Sequence, residues 1–483
     1  MLPIVQVFNN LHRAKEELKP MTPGQIKFYS CGPTTYDFLH VGNARALVVG
    51  DLIHRIFKAL GYQVTFVRNF TDVDDKIIDR AHELKVDPLV HSQKYVDECL
   101  KDMDSLNMLP ATHTPKVSDT MPEIIAMIED LIKNGYGYVV NGEVLYNVPK
   151  FTEYGKLSKK DLESLQHGIR VEVDQHKHHP SDFVLWKPAK AGEPSWESPW
   201  GKGRPGWHIE CSAMSKKFLG KTFDLHHGGV DLMFPHHENE IAQSEAANQC
   251  EFVHAWVHNE FLNFGSEKMS KSLGNVVTIR KFVETYGGKI LRQLLASVHY
   301  RSKLDWNEEV IERAISDVER IHDFYLKFEK QGIGTLKVDT KEIEGVVAKM
   351  KEELANDFNT PGALSHFFST IRFYNREFKD QAPSPEIHQM IQEIIEFTSL
   401  ATGLVHHDAH ATLEEARTAR GIIAGKGGDN DQSVQIEALI IERREARANK
   451  NWAAADKVRD QLKALGVVVK DNPDGTATWS YEK

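Results

Sequence analysis

Apolar and polar positions alternate from Gln25 to Ser30, with Ile26, Phe28 and Ser30 on one face and Lys27 and Tyr29 on the other, until Cys31-Gly32-Pro33 breaks the pattern. This predicts a strand that opens into a loop. From Asn43 to Leu60 the period becomes helical, carried by Ala46, Leu47, Val49, Leu52, Ile53, Ile56, Phe57 and Leu60, with Gly61 placed to end the helix. Tyr62 to Val67 then predicts a second strand. Strand, helix and strand in this order form a βαβ unit, whose first loop lies at the carboxyl end of a strand, where parallel sheets bind ligands. The fold class expected is α/β, built on a parallel sheet of the nucleotide-binding, Rossmann type.

Between about Pro110 and Pro205, prolines, tryptophans and short apolar runs interrupt this rhythm, as an insertion into the sheet domain does. The sheet pattern is expected to resume near Trp207. Beyond Val310 amphipathic spacing dominates, for example Ile311, Ala314, Ile315, Val318, Ile321 and Phe324, which predicts a helical bundle running to about Leu404. Ala424 to Asp431 is glycine-rich and apolar-poor, the composition of a linker, and a small C-terminal domain should follow. No repeat is evident. At 483 residues the chain exceeds what one hydrophobic core serves, which fits about two to four domains.

The apolar runs are short pieces such as Ala438 to Ile441, far below the roughly 18 residues a membrane span needs. The N-terminus carries neither a basic first segment nor a small-residue cleavage site, so a cytoplasmic location is expected. Four cysteines cannot staple so long a chain, and each needs its own explanation. The net charge of -10 excludes sequence-blind coating of nucleic acid and leaves room for a local basic face.

Three clusters carry chemistry. His40-Val41-Gly42-Asn43 stands where the loop enters the helix, a place whose exposed N-H groups and positive dipole end suit phosphate. The same four residues also suit a plain helix cap, and such a match arises by chance in about one chain in twenty. Lys268-Met269-Ser270-Lys271-Ser272, between Gly265 and Gly274, offers two lysines on a short loop able to close over polyphosphate. Chance produces that run in only about one chain in several thousand, which sets aside the reading as a solvated basic loop. Third, Pro235 suits a helix first turn, and the i, i+4 spacing of His236 and Glu240 places both on one face. With Cys31 and Cys211 they would complete a tetrahedral zinc set, provided the fold brings distant segments together. His237 and Glu238 would then point elsewhere. Cys99 and Cys250 read as structural residues in helical contexts.

Taken together, the first two clusters resemble the signature motifs of class I aminoacyl-tRNA synthetases. Phe28 to Thr34, Asn69 to Lys76, Gly203 to Ser212 and Pro235 to Glu240 narrow the resemblance to cysteinyl-tRNA synthetases, and it continues to Asp471-Asn472-Pro473-Asp474-Gly475-Thr476-Ala477-Thr478-Trp479. It implies activation of L-cysteine with ATP and transfer to the 3' end of tRNA(Cys). It also implies that Cys31, Cys211, His236 and Glu240 hold one zinc ion per chain, whose free face takes the substrate thiolate. A soft thiolate on zinc separates cysteine from serine without an editing site, where pocket size alone discriminates only about 10 to 200-fold. By the same resemblance Gly32, Thr71 and Trp207 line the amino-acid pocket, His226 lies near the substrate, and Asp231 lies near the adenosine ribose. His40, Gly42 and Asn43 from the helix side, and Lys268 and Lys271 from the loop side, serve ATP and the charge that develops at its α-phosphate, with Mg2+ accompanying the nucleotide.

The domains implied are a catalytic sheet domain in two halves, 1–115 and 205–255, and a connective insertion, 116–204. A stem-contact region with the lysine loop, 256–310, a helical bundle, 311–423, a linker, 424–432, and an anticodon-binding domain, 433–483, follow. Between Glu437 and Lys470, Arg443, Arg444, Arg447, Lys450, Lys457, Arg459, Lys463 and Lys470 outnumber Glu437, Glu442, Glu445, Asp456 and Asp460, and Trp452 and Trp479 are suited to stack on bases. A monomer without membrane partners is expected. Asn43 stands where many class I enzymes carry a second histidine, and His227 replaces one glycine of the family's run beside the nucleotide. Two rivals remain: a ligase joining cysteine to an aminosugar, which would lack the segment from Gly427 to Lys483, and a non-catalytic RNA-binding relative, which would need neither the lysines nor the metal ligands. A zinc hydrolase is weaker, since four protein ligands leave no place for water.

Overall fold

The structure is a computed structural model that describes residues 2–160, 176–264, 277–424, 439–443, 446–447, 451–471 and 477–481. Its centre is a parallel sheet of four strands, β1 (Gln25–Ser30), β2 (Gln63–Arg68), β3 (Phe223–Gly229) and β4 (Val253–Asn259), in the spatial order β4-β3-β1-β2. Phe28 pairs with Leu225, Tyr29 with His226 and Ser30 with His227, so the junction of β1 and β3 lies mid-sheet. The predicted βαβ unit is present, with helix α1 at Val41–Ala59. The expected resumption near Trp207 is a helix, α2 (Trp207–Leu219), which leads into β3. Every residue of β3 is buried although its sequence is Phe-Asp-Leu-His-His-Gly-Gly. Asp224 is satisfied there by the backbone N-H groups of Met21 and Lys27, each at 2.7 Å.

The insertion folds as helix Met121–Lys133 against an antiparallel sheet of Gly137–Val140, Glu143–Tyr146, Phe183–Pro188 and Gly203–Pro205. Its core of Ile124, Ile128, Leu131, Tyr146 and Trp186 runs without a break into Cys211, Ile241 and Trp256, so it is seated on the catalytic sheet. Three boundaries expected from the sequence cut through elements: 204/205 falls inside the strand Gly203–Pro205, 255/256 inside β4, and 310/311 inside the helix Glu308–Gln331. An N-terminal hairpin of Gln6–Asn9 and Ala14–Glu17, absent from the sequence reading, borders β4. Asn9 fixes it there by accepting from the N-H of Trp256 at 3.0 Å.

The bundle comprises helices Glu308–Gln331, Val346–Ala355, Thr360–Glu377, Pro385–Thr402 and Ala409–Ile423, the last lying past Leu404, where the amphipathic reading stopped, and inside the range 311–423 expected for the domain. Asparagine caps start two of them, Asn307 on the N-H of Val310 and Asn359 on the N-H of Gly362. The helix Pro385–Thr402 packs on the outer face of α1, which explains why α1 is buried on nearly all sides rather than along one stripe. Residues 425–432 of the expected linker lie outside the described residues. The C-terminal part shows a helix, Trp452–Ala464, and a hairpin of Val467–Asp471 with Ala477–Tyr481, around Ile440, Val458, Leu462 and Val467.

One buried charge cluster joins these layers. Asp51 of α1 accepts from Arg55 Nε at 2.9 Å, Arg292 Nη2 at 2.6 Å and the N-H of Leu109 at 2.7 Å. Arg292, itself fully buried, also donates to the carbonyls of Leu106 and Thr402, each at 2.9 Å. Arg292→Met should therefore cost about 3–5 kcal/mol, the range for breaking a buried pair from one side. A urea midpoint close to that of the wild type would contradict this assignment.

Candidate active site and metal centre

The strand order turns back at β1, because α1 carries the chain to β2 on one side and the insertion returns it to β3 on the other. The loops that leave β1 and β3 therefore diverge and open a crevice at the carboxyl edge of the sheet. This cleft, about 310 Å³, is lined by Cys31 to Thr34, His40, Gly42, Asn43, Trp207, Gly229, Asp231 and the Asn259–Leu262 segment. Close packing shapes its floor. A Cβ on Gly32 would stand 1.6 Å from the carbonyl oxygen of Asn69, and one on Gly229 would stand 2.5 Å from Asp231 Oδ1. The Gly32 N-H donates to Asn69 Oδ1 at 2.9 Å, so Gly32 contributes a close approach of backbone.

At one end of the cleft lies the N-terminus of α1. His40 is its cap residue, and Asn43 Oδ1 accepts from the His40 N-H at 3.1 Å, which leaves the Asn43 amide N-H groups as its side-chain donors. No acid occupies the first turn, so the positive end of the helix dipole is uncompensated. The Val41 N-H donates to the Val277 carbonyl at 3.0 Å and the Ile279 N-H to the Leu39 carbonyl at 2.8 Å. These two bonds place the chain that follows the lysine loop beside His40; Lys268 and Lys271 themselves lie outside the described residues. His227 sits in regular strand, paired with Val257, and its Nδ1 lies 2.9 Å from Ser30 Oγ. The backbone needs no glycine there. Gly228 is the position that must stay small, since a Cβ would meet the His237 ring at 2.6 Å.

At the other end four expected ligands converge from the end of β1, from α2 and from the start of helix α3 (Glu238–Asn248). Cys31 Sγ lies 3.8 Å from Cys211 Sγ and 3.6 Å from Glu240 Oε1, and His236 Nε2 lies 3.0 Å from Glu240 Oε1. One ligand atom from each residue falls within 4.8 Å of all the others. Zinc bonds of about 2.0–2.3 Å at tetrahedral angles set neighbouring ligand atoms roughly 3.3–3.8 Å apart, so this donor set fits such an ion.

The electrostatics point the same way. Burial opposes ionisation of Glu240, yet the imidazoles of His226 and His236 overcome it and hold its carboxyl down at about 2. Burial likewise lowers His236, but Glu240 and Cys211 raise it to about 10. The hydrogen bond with Cys31 brings the Cys211 thiol down to about 6, against burial and Glu240, while burial and Cys211 push the Cys31 thiol well up. One thiol is thus kept protonated by its anionic neighbours, a tension that a divalent cation would relieve.

Trp207, 40% exposed at the mouth of the cleft, stacks on His236 with ring centroids 4.2 Å apart. Thr71 is buried, donates from Oγ1 to Glu210 at 3.1 Å and accepts from Asn69 at 3.3 Å. His226 Nε2 lies 2.9 Å from Glu240 Oε2, and its ring stacks on Trp256 at 4.4 Å.

His237 departs from expectation: its Nε2 lies 3.4 Å from Cys31 Sγ, inside the cluster. Phe234 is extended (φ -140°, ψ 132°) and kinks the chain just before α3, so helical spacing read through this segment misplaces His237. Glu238 does point away and accepts from the N-H groups of Gly155 and Ser158 at 2.9 and 2.8 Å. Asn69, which no pattern in the chain singles out, joins Gly32, Tyr29 and Thr71 beneath the cleft.

The three aspartates of the 72–75 run have local tasks. Asp72 accepts from Ser118, Asp74 caps the helix Asp75–Leu84, and Asp75 pairs with Lys187 at 2.9 Å and Arg204 at 2.5 Å. Cys99 is buried in a helix, its thiol pushed by burial to about 12, whereas Cys250 is exposed just past the end of α3 rather than helical.

The fold is shared by solved tRNA synthetases. The LeuRS of Agrobacterium radiobacter K84, in a ternary complex with tRNA and LeuAMS, superposes with a TM-score of 0.60 at 10% identity, over 82% of this chain and 86% of that one. The methionyl-tRNA synthetase of Mycobacterium tuberculosis superposes with a TM-score of 0.58 at 14% identity, over 81% of this chain and 93% of the other. At such identities they establish architecture alone, that of a class I synthetase catalytic domain carrying a helical bundle. Sequence narrows it further. The model of the tRNA synthetases class I (C) catalytic domain matches residues 17–316, that of the DALR domain 349–400, and that of the cysteinyl-tRNA ligase anticodon binding domain 429–479.

Cysteine-tRNA ligases of Heliobacterium modesticaldum and Geobacter sulfurreducens are 44% and 42% identical, over 98% and 99% of this chain and 99% and 100% of theirs. That of Idiomarina loihiensis is 45% identical over 97% of this chain and 98% of its own. The chain belongs to the cysteine-tRNA ligase family, and its reaction is the ATP-dependent joining of cysteine to tRNA. No helix among the described residues is long and apolar enough to cross a membrane.

Because the Gly32 Cα faces a carbonyl with no room for a methyl group, Gly32→Ala should displace Cys31 while leaving the distant bundle folded. Metal binding by the purified variant should fall below one-tenth of that of the wild type, and unchanged binding would contradict the tight packing described for this loop.

Proposed function

We propose that the chain selects cysteine through a zinc ion held by Cys31, Cys211, His236 and Glu240, and charges tRNA(Cys). The observation that carries this reading is the convergence of two thiols, an imidazole and a carboxylate at the floor of the nucleotide-type cleft. Bound zinc supplies a soft Lewis-acid face that takes a thiolate readily and a serine hydroxyl poorly. Trp207 and Thr71 border the amino acid, Gly32 lets it approach the backbone, and His226 holds Glu240 ionised from behind. Asp231, folded back over Gly229, receives the adenosine ribose.

Two in-line steps follow. The cysteine carboxylate attacks the α-phosphate of Mg2+-bound ATP and pyrophosphate leaves; the terminal ribose hydroxyl of the tRNA then attacks the adenylate carbonyl and AMP leaves. His40, Gly42 and Asn43 stabilise the first transition state from the helix N-terminus, and Lys268 and Lys271 neutralise the leaving pyrophosphate from the loop. The C-terminal domain reads the anticodon. Its Trp452 is 59% exposed, with the Arg447 guanidinium 6.0 Å from the ring centroid, which presents an aromatic face and a cation to unpaired bases. The match of the anticodon-binding model to this segment favours tRNA over an aminosugar as acceptor. The seven-part domain division, a monomeric state and a cytoplasmic location complete the proposal.

Transfer of labelled cysteine to unfractionated tRNA by zinc-replete protein should charge one tRNA species, with serine inert; charging by serine would refute the selection mechanism. Cys31→Ser and His236→Ala should each lower zinc content and raise the KM for cysteine in pyrophosphate exchange at least about tenfold, a factor equal to about 1.4 kcal/mol. Unchanged zinc and KM would remove these residues from the ligand set. Lys271→Ala should slow adenylate formation more than it weakens ATP binding in single-turnover kinetics, and the reverse pattern would reject its transition-state role.

A further inference from the structure

Three elements meet at Arg280, in the first turn of the helix Ile279–Tyr286. Its guanidinium carbon lies 4.6 Å from the centroid of the Phe38 ring, two residues before His40. Tyr95 packs edge-on with the same ring, centroids 5.3 Å apart, so Phe38 is gripped by a cation and by an aromatic ring. Arg280 also pairs with Glu98, and its Nη2 lies 3.7 Å from Asp102 Oδ1, both on the helix Pro88–Ser105 that carries Tyr95. That helix fixes the same loop twice more: Ser92 Oγ lies 2.5 Å from Thr35 Oγ1, and His91 Nε2 lies 2.9 Å from the Tyr36 carbonyl oxygen. Just past Phe38, His40 and Thr278 face each other as an antiparallel bridge.

We propose that Arg280 is a positioning residue for adenylate formation, which fixes Phe38 and thereby sets where His40 and the N-terminus of α1 stand in the cleft. It rests on the reading of that N-terminus as the end that meets the α-phosphate. Neither Arg280 nor Phe38 lines the cleft, so the guanidinium acts through the Phe38 ring and not on the nucleotide. The bridge of His40 and Thr278 is one residue pair long, with one backbone bond on each side, from Val41 to Val277 and from Ile279 to Leu39. Such a bridge sets a distance and leaves an angle open; the grip on Phe38, two residues away, sets the angle. Arginine suits this task where lysine does not, because its planar group stacks on a ring and pairs with carboxylates at once. The reacting phosphate tolerates little displacement, since a misplacement of about 1 Å can cost roughly 100-fold in rate. The Arg280 side chain is 32% exposed, so replacing it opens no buried cavity.

Single-turnover adenylate formation by the zinc-replete full-length protein tests this, with cysteine binding and the thermal midpoint measured beside it. Arg280→Gln should slow the step about tenfold or more and leave the Kd for cysteine and the thermal midpoint near those of the wild type. Arg280→Lys should recover only part of the rate, since it keeps a charge for Glu98 and Asp102 and loses the planar face. Phe38→Leu should slow the step likewise, and the double variant should be no slower than the slower single one, as expected of two residues that act as one device. A wild-type rate in Arg280→Gln, full recovery in Arg280→Lys, additive losses in the double variant, or a loss shared by cysteine binding and the thermal midpoint would overturn the proposal. His40→Ala, run in parallel, keeps the two readings apart. If it is slow while Arg280→Gln is not, only the role of Arg280 falls; if it forms adenylate at the wild-type rate, the reading of the α1 N-terminus falls and the proposal with it.

Discussion

A carboxylate with no solvent access, Glu240, sets the terms for the whole site. Burial alone would drive it neutral, and it stays ionised because one imidazole approaches each oxygen. Those imidazoles come from different elements, His226 from a strand interior and His236 from the turn before α3. The sheet must therefore pair β3 with β1, and α3 must start where it does, or a buried anion is left uncompensated at a cost of several kcal/mol. The same pairing delivers Cys31 to Cys211 across 180 residues of chain.

The nucleotide end and the amino-acid end of the cleft share a backbone. Cys31 follows the end of β1, and His40 caps α1 a few residues later, so whatever positions the Cys31 sulfur also positions the N-terminus of α1, the end proposed to meet phosphate. Farther along α1, Asp51 is locked by Arg292 to the end of a bundle helix. Helix α1 and the bundle are thereby tied through a buried ion pair. Chemistry that depends on positioning rather than on reactive side chains benefits from such stiffness, because small displacements of the reacting groups cost rate.

Much of this was legible in the chain. Period-2 and helical spacing located β1, α1 and β2 to within two residues, because each carries its apolar residues at a regular period. The four residues proposed as ligands were anticipated from the i, i+4 pair, the two cysteines and the resemblance, and the fold brings them together. β3 was not, since a strand buried on both sides normally reads as an apolar run, whereas here Asp224, His226 and His227 fill interior positions and are satisfied by side chains and backbone elsewhere in the sequence. His237 was misplaced because a helical period was read through a kink at the extended Phe234. Asn69 and the Asp51 cluster act through partners tens to hundreds of residues away, and no local pattern announces them. The short strands of the insertion and the N-terminal hairpin were missed for a simpler reason: three to six residues carry too little periodicity to register.

The central claim, that protein sulfur and substrate sulfur meet on one zinc ion, is open to direct measurement by X-ray absorption at the zinc edge. The full-length protein loaded with one equivalent of zinc should show two sulfur and two nitrogen or oxygen neighbours. Saturating L-cysteine should raise the sulfur count to three, and L-serine should leave it at two. A sulfur count that ignores cysteine, or a zinc ion with no protein sulfur around it, would contradict the account.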